Sequence, residues 1–352
     1  MPYLDISKIE LPKQETDYNV WADYIELLTM LHPDRKLSVE AIKDRLLDEN
    51  DDDAKKALRQ INAMGKIVIT PSIDRIADDQ FEDDTDPEDE QRIKTAIIGI
   101  IDYMKCRKTI ASNYYPFEID NKYSVSLKGG LTDKNKIYII LLISSLIRVI
   151  TREGGFSYRI THRFESLCEH PFGLLIPTIS KKEFFGAGGS TNETGQPTGQ
   201  LFFDKVSALS KSLRLHLHPD FTQNAAGVHN VGDGGLDWVA WVSFADNLHM
   251  LPTYFAQCAC GNDWEDKLFD ANKSKWGQFI LFGYDYQLFH FIPKSFRELD
   301  NKWLNNIKLH SAVLIDRFRI IELLEKSDKE NDVVALYEDL LTELETAKVD
   351  FN

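Results

Sequence analysis

Three residues in the second half of the chain carry oxygen atoms that could serve as ligands. Glu165 lies in the segment SYRITHRFESLCEHPF, Asp237 directly follows the turn GDGGL, and Gln257 lies in PTYFAQCACG. Hard divalent cations such as Mg²⁺ prefer oxygen ligands, and one or two carboxylates suffice to hold such an ion in a protein. The chemistry that these residue types could support is metal-assisted hydrolysis.

Local sequence patterns predict the elements that would position these residues. Apolar residues recur at helical spacing around Glu165, which places its side chain beside the apolar face of a helix. The turn GDGG leads into an apolar strand that begins at Asp237, and PTYFAQCACG reads as a second strand of the same character. We expect the two strands to form an antiparallel hairpin or an adjacent pair, so that Asp237 and Gln257 reach the same edge of a sheet.

Each of these residues also has a purely structural explanation. Asp237 could cap the GDGG turn, Glu165 could be a carboxylate on a helix surface, and Gln257 could satisfy backbone groups within its strand. The pair His216 and His218 in LHLHPDF raises a further alternative, a zinc site, although no additional partner follows at a recognisable zinc spacing. The residues alone leave these alternatives open.

The order of these segments resembles the core of the PD-(D/E)xK nuclease superfamily, in particular the Mrr-like restriction endonucleases. The matching residues are Phe164-Glu165 on the helix, Gly232 to Asp237 at the first strand and Gln257 on the second, within residues 155–292. The resemblance implies an α+β or α/β fold, with a restriction-endonuclease-like mixed central sheet flanked by helices. Helical N-terminal and C-terminal additions would surround this core.

The resemblance also implies roles for the site residues. Asp237 would be the principal ligand of Mg²⁺ or Mn²⁺, and Glu165 would supply a second carboxylate or orient a metal-bound water. The amide oxygen of Gln257 or the backbone carbonyl of Cys258 would complete the set. A metal ion held in this way lowers the pKa of water and stabilises charge on the phosphate.

The family's lysine is missing from its usual position. It would stand two residues after Gln257, where this chain has Ala259. Either the domain has lost catalysis and serves as a scaffold or assembly subunit, or a lysine from the following segment NDWEDKLFDANKSKW reaches the same place. We expect Lys267 to take this role, with Lys273 and Lys275 as poorer substitutes.

The rest of the chain is predicted to be mostly helical. Apolar spacing predicts helices over 15–30, 39–49, 54–64, 92–105, 136–150 and, after Pro293, over 301–326 and 332–347, with short strands at 66–70 and 123–128. The predicted regions are a helical, possibly winged-helix-like module (1–73), an acidic linker (74–91), a helical accessory region (92–150), the nuclease-like core (151–295) and C-terminal helices (296–352). The first module could bind DNA or a partner, or simply pack.

Composition and charge constrain the partners. No segment approaches the roughly 20 apolar residues that a membrane span needs, and the N-terminus lacks the pattern of a signal peptide, so we expect a cytoplasmic protein without membrane contact. The four cysteines, including Cys258 and Cys260, are too few and scattered for a disulfide framework, and buried strand cysteines are favoured over zinc ligands.

The resemblance implies an endonuclease that cleaves DNA in bacterial defence against phage or plasmids. The net charge of −15 opposes this interpretation, because binding to phosphates depends on cationic surface. Much of the negative charge lies in the acidic segment between Ile73 and Glu90. We therefore expect a protein partner, such as an ATPase or a DNA-binding subunit, to supply part of the DNA affinity.

Overall fold

The computed structural model describes residues 18–46, 87–147, 156–186, 201–261, 264–304 and 312–347. The helix predicted at 54–64, the strand predicted at 66–70 and most of the predicted acidic linker lie outside these ranges. The chain divides into two compact units. The first unit lies within Met1–Ser157, Phe296–Leu304 and Val334–Asn352, and the second unit lies within Tyr158–Ser295 and Asn305–Val333.

The first unit combines helices with a small antiparallel sheet. Its helices are α1 (Tyr18–Leu31), α2 (Val39–Leu46), α3 (Pro87–Ala111), α4 (Asp133–Ser145) and α12 (Glu338–Thr346). Its sheet has the strand order β1-β3-β2, formed by β1 (Lys36–Leu37), β2 (Phe117–Ile119) and β3 (Val125–Leu127). The helices predicted at 15–30, 39–49, 92–105 and 136–150 and the strand predicted at 123–128 are confirmed, whereas β2 was not predicted.

Two details of the first unit differ from the sequence expectation. Helix α3 begins at Pro87, so the last residues of the predicted acidic linker are helical, and proline is well suited to the first helical position. Helix α1 was expected to bury one apolar face, but nearly all of its residues are buried, including the polar Asn19, Asp23 and Glu26. The helix is therefore central to this unit rather than half exposed.

The second unit contains a five-stranded mixed sheet. Its strands are β4 (Lys181–Phe184), β5 (Trp238–Trp241), β6 (Thr253–Cys258), β7 (Gln287–Phe291) and β8 (Ala312–Ile315), in the order β4-β5-β6-β7-β8. Strands β4, β5 and β6 pair antiparallel, which confirms the predicted pairing of β5 with β6. Strands β6, β7 and β8 pair parallel. The protein therefore belongs to the mixed α+β class.

Helices cover both faces of this sheet. They are α5 (Phe156–Leu175), α6 (Phe202–Ser212), α7 (Gln223–Ala226), α8 (Trp264–Lys267), α9 (Lys273–Trp276), α10 (Arg317–Ser327) and α11 (Glu330–Leu336). On one face Phe172 of α5 contacts Phe289 of β7, with ring centroids 6.1 Å apart. On the other face Phe255 of β6 packs against Trp276 of α9 in the main apolar cluster. No helix in the described ranges is long and apolar enough to cross a bilayer.

The helix predicted over residues 301–326 is wrong in its first half, since among the described residues 301–304 and 312–316 are not helical. Residues Ala312–Ile315 form β8, the edge strand that pairs with β7, and α10 begins only at Arg317. The short run AVLI fits a buried parallel strand as well as a helix, because both bury consecutive apolar residues. Asp316 then caps α10, since its Oδ1 accepts a hydrogen bond from the Arg319 N–H (3.1 Å).

Candidate functional site

Asp237 stands just before β5, opposite the C-terminal end of β6. The antiparallel register pairs Trp238 with Ala256, which places Asp237 across from Gln257. Asp237 N–H donates to the Ala256 carbonyl oxygen (3.0 Å), and Cys258 N–H donates to Asp237 Oδ2 (2.6 Å). The structure thus brings Asp237 and Gln257 together at one end of the sheet, as the sequence predicted.

The turn before β5 requires a glycine for close packing. Gly235 has a φ angle of +80°, in the left-handed region that favours glycine. A Cβ atom at Gly235 would lie 2.3 Å from Asp270 Cβ and 3.1 Å from Gln257 Nε2. Asp233 caps the turn, because its Oδ1 accepts a hydrogen bond from Gly235 N–H (2.7 Å). The capping role considered for Asp237 therefore belongs to Asp233.

Glu165 is fixed beside the same strand by a hydrogen bond to its backbone. The indole Nε1–H of Trp238 donates to the Glu165 carbonyl oxygen (2.8 Å) and ties α5 to β5. The residue is only 9% exposed, so Glu165 is not a surface carboxylate. His162 Nδ1 lies 3.0 Å from Glu165 Oε2, but this oxygen makes no well-aligned hydrogen bond with any described residue.

The pKa values of the two buried carboxyl groups, Glu165 and Asp237, are both raised. Burial, followed by the charges of Asp237 and Asp233, raises the pKa of Glu165 to about 9. Burial and then the charge of Asp233 raise the pKa of Asp237 to about 7, against the opposing effects of the Cys258 N–H, Lys267 and Lys205. The buried location has too little positive charge to stabilise two carboxylates, so near neutral pH Glu165 holds its proton and Asp237 is partly protonated.

Gln257 and a histidine that the sequence reasoning missed lie side by side in the sheet. Gln257 is 3% exposed, and its Oε1 makes no hydrogen bond with a described residue. His290 of β7 is paired in register with Gln257 and is fully buried. Neither of its ring nitrogens makes a well-aligned hydrogen bond with a described residue, although the Trp264 backbone lies close. Burial, then the positive charge of Lys267, lowers the pKa of His290 to about 3.

The three candidate lysines have different surroundings in the structure. Lys267 at the end of α8 is half-buried, and its charge acts on both Glu165 and Asp237. Lys273 Nζ instead pairs with an Asp285 oxygen at 2.5 Å, and Lys275 Nζ pairs with an Asp270 oxygen at 2.6 Å. Ala259, at the family's lysine position, is 1% exposed and close-packed. Of the three predicted lysines, Lys267 is the one whose charge lowers the pKa of both Glu165 and Asp237.

The cysteines form part of the wall of the site. Cys258 and Cys260 are buried free thiols, as the sequence favoured, and burial raises the pKa of both well above the ordinary value. The Cys168 thiol of α5 lies close to the Cys258 thiol of β6. Within the described ranges, no group of three or more His, Cys, Asp and Glu side chains has a metal-holding arrangement.

The donor atoms at the site nevertheless fit a hard divalent cation. Glu165 Oε2, which lies 3.0 Å from His162 Nδ1, and Gln257 Oε1 are buried oxygens without a well-aligned hydrogen bond to a described residue, and Asp237 adds a third oxygen-bearing side chain. Buried polar atoms ordinarily have partners, and an unpartnered oxygen calls for an explanation such as an ion. Mg²⁺ or Mn²⁺ would accept this set, because an amide oxygen and one or two carboxylates suit such ions.

Comparisons with known proteins add no family to this geometry. No protein-family model, no curated protein and no solved structure matches the chain.

Proposed function

We propose that the protein is a metal-dependent DNA endonuclease with a restriction-endonuclease-like core of the PD-(D/E)xK type. One observation carries the proposal: two buried carboxylates and an amide from three separate elements, Glu165, Asp237 and Gln257, gather at one end of a mixed sheet. Glu165 Oε2 and Gln257 Oε1 make no well-aligned hydrogen bond with a described residue. The order of elements is a helix, a strand that follows GDGG and an antiparallel strand with glutamine. This order supports the superfamily assignment.

The side chains would divide the work of phosphodiester hydrolysis. Asp237 would be the principal ligand of Mg²⁺ or Mn²⁺, Glu165 the second carboxylate, and Gln257 Oε1 or the Cys258 carbonyl would complete the set. The ion supplies Lewis-acid stabilisation of the phosphate and a lowered pKa for water. Lys267, whose charge reaches both carboxylates, would bind a phosphate oxygen or orient the attacking water.

Electrostatics support the need for a cation. The raised pKa values of Glu165 and Asp237 mean that both side chains hold protons more tightly than exposed carboxylates do. A divalent cation would replace these protons and balance two negative charges at once, so binding should release protons near neutral pH. The same raised pKa values predict that metal binding becomes tighter as pH increases from 6 to 9.

The charge of the whole chain bears on its partners. A net charge of −15 gives little general attraction to DNA. We therefore propose that the protein acts in a bacterial defence complex, in which an ATPase or a DNA-binding subunit delivers the substrate.

Calorimetry with Mg²⁺ and Mn²⁺, alongside plasmid cleavage, tests this function. Wild-type protein should bind the ion, and Asp237→Asn should weaken binding by about tenfold or more, since second carboxylates rarely compensate for a principal ligand. Lys267→Ala should retain metal binding and lose cleavage. The matched control is Lys273→Ala, because Lys273 lies nearby and pairs with Asp285 on the surface. Absence of metal binding by the wild type would refute the proposed function.

Ala259 supports a second candidate, a scaffold that retains the fold without catalysis. Its buried position leaves no room for a motif lysine in β6 or directly after it. The same experiment separates the two functions. If the protein is a scaffold, Lys267→Ala changes neither cleavage nor DNA binding, whether or not the wild type binds metal, and the same holds when the assay is repeated with the partner complex.

A further inference from the structure

Lys205 is a half-buried cation next to the site that the sequence did not single out. It lies in the first turn of α6, and its Nζ donates hydrogen bonds to the carbonyl oxygens of Phe185 (3.1 Å) and Gly186 (3.4 Å). Its Nζ also lies 5.1 Å from the centre of the Phe185 ring. Among the described residues, no carboxylate is within ion-pair distance of Lys205. Its charge is therefore held in place by neutral groups.

The same two residues connect Lys205 to Asp237. The backbone N–H groups of Phe185 and Gly186 donate to the Asp237 carbonyl oxygen, at 2.7 and 3.1 Å. Their carbonyl groups accept from Lys205, so two consecutive residues after β4 hold Asp237 through their N–H groups and Lys205 through their oxygens. This arrangement fixes the position of the ammonium group relative to Asp237.

The electrostatic effects agree with this geometry. Burial lowers the pKa of Lys205, whereas the charges of Asp233 and Asp237 raise it. Lys205 in turn lowers the pKa of Asp237. Lys267 acts on Glu165 and Asp237 from another segment, α8. Asp237 therefore lies in the field of two ammonium groups that come from different parts of the chain.

We propose that Lys205 binds a backbone phosphate of the DNA substrate, as a second cation beside the one at Lys267. The inference rests on the proposed function and deepens it. An ammonium group has three N–H donors, and the two carbonyl groups occupy two of them. The third remains for a phosphate oxygen, and partial burial reduces the screening of the attraction by salt. Lys205 would position the strand next to Asp237, whereas Lys267 would act at the scissile phosphate.

A purely structural role for Lys205 makes a different prediction. In that case the lysine only ties α6 to the end of β4, and a neutral donor of similar reach would serve equally well. Lys205→Gln retains a side-chain N–H donor for the Phe185 carbonyl and removes the charge. Lys205→Arg retains the charge. Lys211→Gln is the matched control, because Lys211 is exposed in the last turn of the same helix.

The test measures binding of a fluorescently labelled DNA duplex to the full chain by anisotropy, in Ca²⁺ and at several salt concentrations. Lys205→Gln should weaken binding by about fivefold to tenfold and reduce the slope of log K against log salt by about 1, since one phosphate contact is lost. Lys205→Arg and Lys211→Gln should stay within about twofold of the wild type. Thermal unfolding of each variant shows that the fold is retained.

The possible outcomes separate this inference from the proposed function. If Lys205→Gln binds DNA with wild-type affinity and salt slope, Lys205 is structural and the inference is overturned, while the metal site stands. If the wild type binds the divalent cation but no DNA, the Lys205 inference is again overturned. If calorimetry detects no cation binding by the wild type, the proposed function is refuted, and the phosphate role of Lys205 fails with it.

Discussion

Each unit of the protein buries a pair of carboxylates, and the two pairs have opposite surroundings. In the first unit, Asp23 and Glu26 of α1 face the guanidinium group of Arg107, at 2.5 and 3.2 Å. The hydroxyl groups of Tyr115 and Tyr138 donate to Glu26 at 3.0–3.1 Å, and Ser145 Oγ donates to Asp23 at 2.7 Å. Every carboxylate oxygen of this pair has a protein partner. The pair is part of the core.

The pair in the second unit has no comparable set of partners. Asp237 accepts one backbone hydrogen bond through Oδ2, and Glu165 Oε2 has no well-aligned hydrogen bond to a described residue. Buried charges are expensive unless they are paired, so a fold retains an incompletely paired set when a ligand completes it. Burial alone therefore does not distinguish a site from a core. The number of carboxylate oxygens that have hydrogen-bond or ion-pair partners distinguishes the two.

Removing the cation of the first pair should have the largest effect. Arg107→Met leaves two buried carboxylates without their counter-charge, and loss of one partner from a buried ion pair costs about 3–5 kcal/mol. Denaturant unfolding measures this loss. Lys108→Met, at an exposed position on the same helix, is the control and should change stability by less than about 0.5 kcal/mol. A similarly small change in Arg107→Met would show that the first pair is not held by its cation.

Closing the space beside the second pair should have an intermediate effect. Gly235→Ala introduces a Cβ atom that would meet Asp270 and Gln257, at a residue with positive φ. We expect a loss of about 2 kcal/mol in stability, the usual cost of such backbone strain, and weaker Mn²⁺ binding because Gln257 is displaced. Gly283→Ala is the control, since its Cβ would have no heavy atom within 4 Å. Equal stability and equal metal affinity of the two variants would contradict the close packing at Gly235.

Neutralising Glu165 of the second pair should have an effect of the opposite sign. The pKa of Glu165 is about 9 in the folded protein and 4.5 for an ordinary glutamate. The folded protein therefore keeps a proton that the unfolded chain releases, and metal-free stability falls as pH rises from about 4.5 to about 9. Glu165→Gln should remove this dependence and stabilise the metal-free protein at pH 8 by about 2 kcal/mol.

Thermal unfolding across this pH range, with chelator present, measures the slope. The matched variant in the first unit is Glu26→Gln, which leaves Arg107 with one carboxylate fewer and should destabilise the protein. If Glu165→Gln destabilised the metal-free protein to the same extent as Glu26→Gln, the contrast between the two pairs would not hold.

The sequence predicted those parts of the site that local patterns determine. The turn GDGG and two apolar strands were enough to place Asp237 opposite Gln257, and helical spacing was enough to place Glu165 beside an apolar face. Lys205 and His290 were missed for a physical reason. His290 reaches the site because β7 pairs parallel with β6, and Lys205 reaches it through the backbone that follows β4. Neither long-range contact has a local signal in the sequence.

Other errors came from patterns that fit two structures equally well. The run AVLI of β8 is short, apolar and next to a true helix, so periodicity could not separate strand from helix. In α1, apolar spacing predicted a helix but gave no sign that Asp23 and Glu26 are buried, because polar side chains usually mark an exposed helix face. Their burial depends on Arg107, which lies 84 positions beyond Asp23 in the sequence.

Strand β6 is the boundary between the antiparallel and the parallel halves of the sheet. This position determines what an insertion or deletion of one residue in the strand would do. Side chains alternate between faces, so inserting or deleting one residue in this strand would exchange Gln257 for Cys258 or Ala256 at the same position. A thiolate there would prefer soft metals to hard ones, and a methyl group would bind neither. A single codon gained or lost in this stretch would thus change which metal ion the proposed site would accept, while leaving the backbone pairing of the strand almost unchanged.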